Sequence, residues 1–248
     1  MKKQSFNDID SLMTAVLKRA TEIVNDAYKH RCEPFEDIEG NVTYKPLSEY
    51  DRQGTLVFPR YFHSAAASES EKTRISEQEL RFAFVQAFNE LVDNYFYGIE
   101  VPTKDRYRFN DENGKINPTI NENGRSGSFD MVIYDDRLRR VGLIEFKASY
   151  PDAGYFAKDF LKLANPVEDI HVIGIKSYFI HIVKNFSSKK IISRIGRSNC
   201  TIQEQITKKG KRAILVNYVP FSLYENKEQV QQYNIMPQNI NTIKYNKL

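Results

Sequence analysis

The stretch from Ser126 to Ser149 carries three ionisable side chains, Asp130, Glu145 and Lys147, inside two strongly apolar runs, FDMVIY and VGLIEFKA. The charged segment DDRLRR between the runs predicts a turn, so the runs predict two neighbouring strands. An unpaired charge is costly to bury in a strand. The three side chains therefore indicate either mutual neutralisation or a site at which charged groups do chemistry.

The simplest hairpin places Asp130 directly opposite Glu145. In this hairpin Tyr134 lies opposite Val141, and a symmetric change in turn length keeps the register. Directly opposed side chains share a face of the sheet, with Cβ atoms roughly 4.5–5.5 Å apart. Two converging carboxylates need a shared proton or a cation, and a divalent metal ion satisfies both. The alternative is that Lys147 neutralises one carboxylate while the other lies at a solvated strand end.

Alternation along the second run separates its side chains into two faces. Glu145 and Lys147 share a face with Leu143, whereas Ile144 and Phe146 point the other way. Both faces are apolar, which predicts a strand that helices cover on both sides.

The patterns around these runs predict the order helix, three strands, helix, strand, helix, strand. The first helix begins with a capping box formed by Ser76 and Glu79, and the segment NDENGKINPTINENG is turn-rich. The later elements are a strand and its continuation from YGIEVPT to RYRF, the two runs, a helix from Tyr155 to Ala164, a strand at SYFIHIVKN, a helix from Thr201 to Lys209 and a strand at RAILVNYV.

The N-terminal part of the chain predicts an amphipathic helix over residues 8–30, where apolar residues recur at helical spacing. Residues 31–74 have weak periodicity and include the small polar run SAAASESEKTR, which predicts a linker or mobile loop. We therefore expect an N-terminal helical extension with its linker over residues 1–74 and a core domain over residues 75–248. The helix either packs on its own core or binds a regulatory protein or a second copy of the chain.

The sequence SFD on one strand and IEFKAS on the next resembles the PD-(D/E)xK nuclease superfamily, whose fold is called restriction-endonuclease-like. The resemblance covers about residues 76–219, including the order of elements. It implies an α/β fold with a mixed central β-sheet flanked by helices, in an αβββαβ core. It also implies that Asp130 and Glu145 bind Mg²⁺, that Lys147 assists the attacking water, and that the backbone carbonyl of Phe146 is a further ligand.

The family motif begins with proline where this chain has Phe129, a substitution that the superfamily tolerates. The family often has another acidic residue on the helix before the sheet. We favour Glu77 over Glu79 for that role, because Glu77 lies on the buried stripe and SEQELR resembles the opening helix of type I restriction nuclease domains. Glu79 is explained as a cap, and the alternative for Glu77 is a carboxylate favoured by the helix dipole.

Phosphodiester hydrolysis needs a deprotonated water in line with the leaving oxygen and positive charge near the phosphate. Mg²⁺, for which Mn²⁺ can substitute, supplies both effects and prefers a few carboxylates plus waters and phosphate over a full protein cage. Asp130 and Glu145 fit that sparse ligation. Lys147 can reach the attacking water or the scissile phosphate.

Basic residues are concentrated from Lys184 to Arg212, where nine of them accompany one acidic residue, Glu204. Such a region either neutralises phosphates without reading base sequence or forms a solvated face. Arg125 is a further phosphate-binding candidate or a simple turn residue. Polar residues on the helix after the two runs face either the site or solvent; they are Tyr155, Lys158, Asp159 and Lys162.

The composition of the 248 residues, 41% hydrophobic and 27% charged, predicts a globular protein. Two cysteines without a C-x-x-C motif argue against a disulfide framework and a zinc site, and the four histidines have no ligand spacing. No apolar segment follows the basic start, and nowhere do 18 apolar residues run together. We therefore expect a cytoplasmic protein that neither spans a membrane nor carries a secretory signal.

The leading hypothesis is a Mg²⁺-dependent DNA endonuclease that acts in restriction or anti-phage defence, a role inferred from the fold alone. A non-catalytic nucleic-acid-binding or assembly subunit with the same fold is one alternative, although the intact Asp, Glu and Lys set argues against it. An RNA-cleaving nuclease is another, because the sequence does not discriminate deoxyribose from ribose.

Overall fold

A computed structural model of the chain describes residues 2–29, 32–36, 38–40, 42–46, 54–58, 73–149, 153–168, 174–183, 206, 214–223, 231–235 and 244–247. Within these ranges lie three α-helices and ten strands. In chain order they are α1 (Ile9–Lys29), β1 (Cys32–Glu36), β2 (Val42–Pro46), α2 (Glu77–Leu91), β3 (Phe96–Asn110), β4 (Ile116–Ile120), β5 (Arg125–Tyr134), β6 (Arg140–Ala148), α3 (Ala153–Ala164), β7 (Lys176–Val183), β8 (Val216–Ser222), β9 (Gln231–Ile235) and β10 (Lys244–Lys247).

Eight strands form one sheet in the order β10-β9-β8-β7-β6-β5-β3-β4. β6, β7 and β8 pair in parallel, and the remaining neighbours are antiparallel. β1 and β2 form a separate antiparallel hairpin. The expectation of a mixed α/β fold is therefore confirmed.

Helices cover both faces of the sheet, as the apolar character of both faces of β6 predicts. Ile144 and Phe146 belong to the apolar cluster that also contains α1 and α2. Leu143 belongs to the other cluster, together with Phe156 and Phe160 of α3. The expected alternation along β6 thus divides its side chains between the two layers.

Helix α1 packs on α2, and its apolar stripe is part of the same cluster as the sheet residues of that face. Leu12, Val16 and Ala20 of this stripe are fully buried. An ion pair of 2.7 Å between Arg19 Nε and Glu90 Oε2 also connects the two helices. Of the two readings of this helix, packing on its own core is the one observed, so its apolar face is not a free surface for a partner.

Three regions without a predicted strand contain strands, and one of them holds β9 and β10, beyond the last predicted strand. β4 lies inside the turn-rich segment, and the β1–β2 hairpin lies inside the predicted linker. β4 has five residues, contains Pro118 and forms the edge of the sheet, where a missing backbone N–H is tolerated. Such a short edge strand has no hydrophobic alternation of its own and depends on pairing with β3. Some of the segments for which the sequence makes predictions lie outside the described ranges. These are residues 59–72, most of the basic region from 184 to 212 and, except for residue 206, the helix predicted over 201–209.

A buried carboxylate fixes an irregularity in the middle of β3, where the pairing with β5 changes register. The side chain of Glu168, in a one-turn 3₁₀ helix, accepts hydrogen bonds from the backbone N–H groups of Lys104 at 2.9 Å and Asp105 at 3.1 Å. The hydroxyl of Tyr107 lies 3.4 Å from the same carboxylate. Burial raises the pKa of the Glu168 carboxyl, an effect that these two N–H groups partly offset.

We expect Glu168→Ala to lower the free energy of unfolding by about 2–4 kcal/mol, because the backbone N–H groups of Lys104 and Asp105 lose their buried acceptor. Urea unfolding followed by circular dichroism measures this change. Glu122→Ala is the matched control, since Glu122 is exposed and its substitution should change the free energy by less than about 0.5 kcal/mol. Equal losses in both variants would contradict the role assigned to Glu168.

No helix in the described ranges is long and apolar enough to cross a lipid bilayer.

Candidate active site

β5 and β6 form a hairpin, and its charged groups lie at the end away from the turn. At that end the pairing of β5 with β6 has the register expected from the sequence. Met131 pairs with Ile144, and two further pairs follow in the same register toward the turn. At the turn Tyr134 pairs with Arg140 instead of the expected Val141, because an irregularity adds one residue on β6. This irregularity lies between the three regular pairs and the turn. It therefore does not change the register at the end of the hairpin that carries the charged groups.

The residues that come next, Asp130 and Glu145, line a cleft of about 470 Å³ at this end of the sheet. Lys147 of β6 and Glu77, the first residue of α2, line the same cleft. The structure therefore brings together the four side chains that the sequence proposed. Glu79 lies elsewhere, because its carboxylate accepts the Ser76 backbone N–H at 3.0 Å in the capping box of α2.

Asp130 is held by one donor on each carboxylate oxygen. Its Oδ2 accepts the backbone N–H of Phe146 at 2.7 Å, and its Oδ1 lies 2.7 Å from Arg81 Nη2. Arg81 also donates to Glu100 at 3.0 Å. Burial raises the pKa of the Asp130 carboxyl, although the Phe146 N–H and the Arg81 guanidinium both act against the increase.

Glu145 is almost completely buried and forms an ion pair with Lys162 of α3. Burial raises the pKa of the Glu145 carboxyl well above its ordinary value, and the negative charges of Asp159 and Asp130 act in the same direction. The Lys162 ammonium opposes them and stabilises the ionised form. Glu145 is thus a carboxylate whose charge depends on a neighbouring cation.

Lys147 contacts two carboxylates, and neither belongs to the opposed pair. Its Nζ lies 3.1 Å from Glu77 Oε1 and 2.8 Å from Asp159 Oδ2. Burial acts to lower the pKa of Lys147, but Asp159 and Glu77 outweigh it and the net shift is upward. Lys147 therefore stays protonated at neutral pH, where it can donate hydrogen bonds and cannot accept a proton.

The sequence left open whether the polar residues of α3 face the site or solvent. In the structure most of them face the cleft. Lys158, Asp159 and Lys162 line the cleft, whereas Tyr155 is about half exposed and does not line it. Arg125 also lines the cleft.

The sequence argument missed Arg81, Glu100 and Ser128. A signal existed for Arg81, because it follows Glu77 by four residues and so lies on the same face of α2. His181 is buried, with its ring nitrogens 2.8 Å from the Tyr218 hydroxyl and 2.5 Å from a backbone carbonyl, in agreement with a structural role. The other three histidines lie outside the described residues.

The donor chemistry of the cleft fits a hard divalent cation. Asp130 and Glu145 supply carboxylate oxygens beside a water-accessible cavity, which is the sparse ligation that Mg²⁺ prefers. Within the described ranges no group of three or more His, Cys, Asp and Glu side chains is arranged as a metal cage. Both carboxylates form ion pairs in this structure, with Arg81 and with Lys162.

Fold and cleft define a mixed α/β protein with a strongly charged cleft at one end of its central sheet. No family model, curated protein or solved structure matches the chain.

Proposed function

We propose that this protein is a metal-dependent nuclease that hydrolyses phosphodiester bonds in DNA and has a restriction-endonuclease-like core. The observation that carries the proposal is the meeting of Asp130, Glu145 and Lys147 in one cleft, with Glu77 in contact with Lys147. The resemblance of SFD and IEFKAS to the PD-(D/E)xK motif supports the same reading.

Asp130 and Glu145 would hold Mg²⁺ or Mn²⁺, with the Phe146 carbonyl and Glu77 as further donors. Such an ion would supply positive charge at the phosphate and would lower the pKa of a bound water. Lys147, kept protonated by its carboxylate partners, orients the attacking water or stabilises the negative charge that develops on the phosphate.

Substrate binding is assigned to cations at the cleft. Arg125 is exposed and Lys158 is partly exposed, and both line the cleft. Exposed cations of this kind neutralise backbone phosphates without reading base sequence. The proposed partner is therefore nucleic acid, and DNA is favoured on the family resemblance alone.

A cytoplasmic location and a role in restriction or anti-phage defence complete the proposal, and both rest on the family resemblance. A second copy of the chain or a regulatory protein stays a predicted partner. Such a partner would bind a surface other than the apolar stripe of α1, since that stripe is buried.

One observation favours a non-catalytic nucleic-acid-binding or assembly subunit as the second candidate. The buried carboxylates of the cleft already have protein cations as partners: Arg81 for Asp130, Lys162 for Glu145, and Lys147 for Asp159. A cleft neutralised in this way can persist without a metal ion, as a structural remnant would.

Cleavage assays with and without metal test the proposal. We expect the purified protein to nick or linearise supercoiled plasmid DNA in Mg²⁺ or Mn²⁺ and to form no product in EDTA, because the phosphate then lacks its divalent counter-ion. End-labelled linear DNA separates internal from terminal cleavage, and labelled RNA tests the alternative substrate.

Glu145→Gln is the control variant, since it keeps the shape of the side chain and removes its charge. Products that survive in EDTA or in Glu145→Gln would indicate a contaminating nuclease. Binding of DNA without cleavage under every metal condition would favour the non-catalytic subunit, and cleavage of RNA alone would replace the DNA substrate.

A further inference from the structure

The ammonium group of Lys162 lies inside the cleft among three oxygen acceptors. It forms an ion pair with the carboxylate of Glu145, donates to the backbone carbonyl of Ser128 at 2.8 Å, and lies 3.4 Å from Asp159 Oδ1. Only 4% of the side chain is exposed. Three acceptors match the three N–H groups of an ammonium ion, so Lys162 is a fully coordinated cation rather than a solvated surface charge.

The position of Lys162 is determined by packing as well as by charge. The residue belongs to the last turn of α3, and its stem passes over Gly127 of β5. A Cβ atom at Gly127 would lie 3.3 Å from Lys162 Cδ, so the stem uses space that a larger residue would narrow. The ammonium lies 5.9 Å from the centre of the Phe129 ring. Phe129 is the residue that stands where the family motif has proline.

We propose that Lys162 is the resident counter-ion of Glu145 and that a divalent metal ion binds to Glu145 only by displacing the Lys162 ammonium. This inference rests on the proposed function. The ammonium and the metal ion require the same carboxylate, and two cations held within a few ångströms of each other in a buried site repel strongly. Lys162 therefore weakens metal binding and sets the metal concentration at which the cleft becomes active.

Among the described residues that line the cleft, the other two lysines, Lys147 and Lys158, lack this geometry. Lys147 contacts Glu77 and Asp159, so it keeps its partners when Lys162 leaves Glu145. The ammonium of Lys158 lies over the ring of Phe109, 4.8 Å from its centre. Lys158 is one turn before Lys162 on α3 and carries the same charge, which makes it the matched control.

The test measures metal binding directly, without nucleic acid. Electron paramagnetic resonance counts free Mn²⁺ during titration of the full chain at one pH and ionic strength, for wild type, Lys162→Gln, Lys162→Arg, Lys158→Gln and Glu145→Gln. Glutamine at position 162 keeps much of the length of lysine and can donate to the Ser128 carbonyl, but it carries no charge.

We expect Lys162→Gln to bind Mn²⁺ at least about tenfold more tightly than wild type, since the competing cation is gone. Lys158→Gln should stay within about threefold of wild type, because the Lys158 ammonium lies over the Phe109 ring, whereas Lys162 forms the ion pair with Glu145. Lys162→Arg keeps the charge and should bind no more tightly than wild type. Detectable binding in Lys162→Gln but not in wild type would also support the proposal.

Equal or weaker Mn²⁺ binding by folded Lys162→Gln than by wild type would overturn the proposal, and so would equal tightening in Lys158→Gln. Circular dichroism establishes that each variant is folded, and Lys162→Met replaces Lys162→Gln if the latter does not fold. If Glu145→Gln abolishes binding while the Lys162 variants match wild type, only this inference fails. If no variant binds Mn²⁺, or if Glu145→Gln binds it as wild type does, the proposed metal-dependent function fails as well.

Discussion

Lys147→Met is expected to reduce the rate of DNA cleavage by about 10²–10³-fold while DNA binding changes by less than about threefold. Methionine fills a similar volume, so the variant removes the buried ammonium and its contacts with Glu77 and Asp159 and little else. Single-turnover cleavage of plasmid DNA gives the rate, and fluorescence anisotropy with a labelled duplex in EDTA gives the binding constant.

Lys158→Met is the matched control, because it also removes one positive charge from the cleft. Lys158 lies over Phe109 and lines the cleft, and among the described residues it forms no ion pair with a carboxylate. We expect this control to weaken DNA binding modestly and to leave the single-turnover rate at saturating DNA nearly unchanged. A wild-type rate in Lys147→Met, or equal rate losses in both variants, would contradict the role assigned to Lys147.

Phe84→Ala is expected to lower the free energy of unfolding by about 3–5 kcal/mol. The Phe84 side chain of α2 is fully buried, and its ring meets that of Phe146 edge to face, with the ring centres 5.6 Å apart. Phe146 lies between Glu145 and Lys147 in β6, so this contact packs the strand that carries both residues against α2. Urea unfolding followed by circular dichroism measures the change.

Phe82→Ala is the matched control on the same helix. It makes the same substitution at an exposed position, so it separates the effect of lost burial from the effect of helix propensity. Phe82 is 62% exposed, and we expect its substitution to change the free energy of unfolding by less than about 0.5 kcal/mol. A loss in Phe82→Ala as large as that in Phe84→Ala would show that the two side chains do not differ in packing as the structure describes. Cleavage by Phe84→Ala, measured well below its unfolding midpoint, should remain detectable because no cleft side chain is altered.

The local patterns of the sequence were sufficient for the elements around the cleft and for the register at its centre. Alternation has a period of two along a strand, so a short turn between two apolar runs leaves few ways to oppose them. The observed pairing of Met131 with Ile144 follows from that constraint, and the next residues, Asp130 and Glu145, line the same cleft. Helical spacing likewise predicted α1, α2 and α3, since each buries one face.

Tertiary structure decided which charges pair, because the partners come from different elements. Arg81 and Asp130 are 49 residues apart, Lys147 and Glu77 are 70 apart, and Lys162 and Glu145 are 17 apart. No local spacing connects them. One alternative from the sequence made Lys147 the partner of Asp130 or Glu145, whereas the packing of α2 and α3 against the sheet gives it Glu77 and Asp159 instead.

The edge strand β4 shows the same division between local and long-range information. Its five residues have no periodicity that distinguishes them from a turn, and they become a strand through hydrogen bonds to β3. By itself the sequence determined which residues carry charge, which faces are apolar and which regular pairs form between β5 and β6, because these depend on near neighbours in the chain. The assignment of each cation to its carboxylate was decided only by the tertiary structure, since buried charges pair with whatever the packed helices bring within reach.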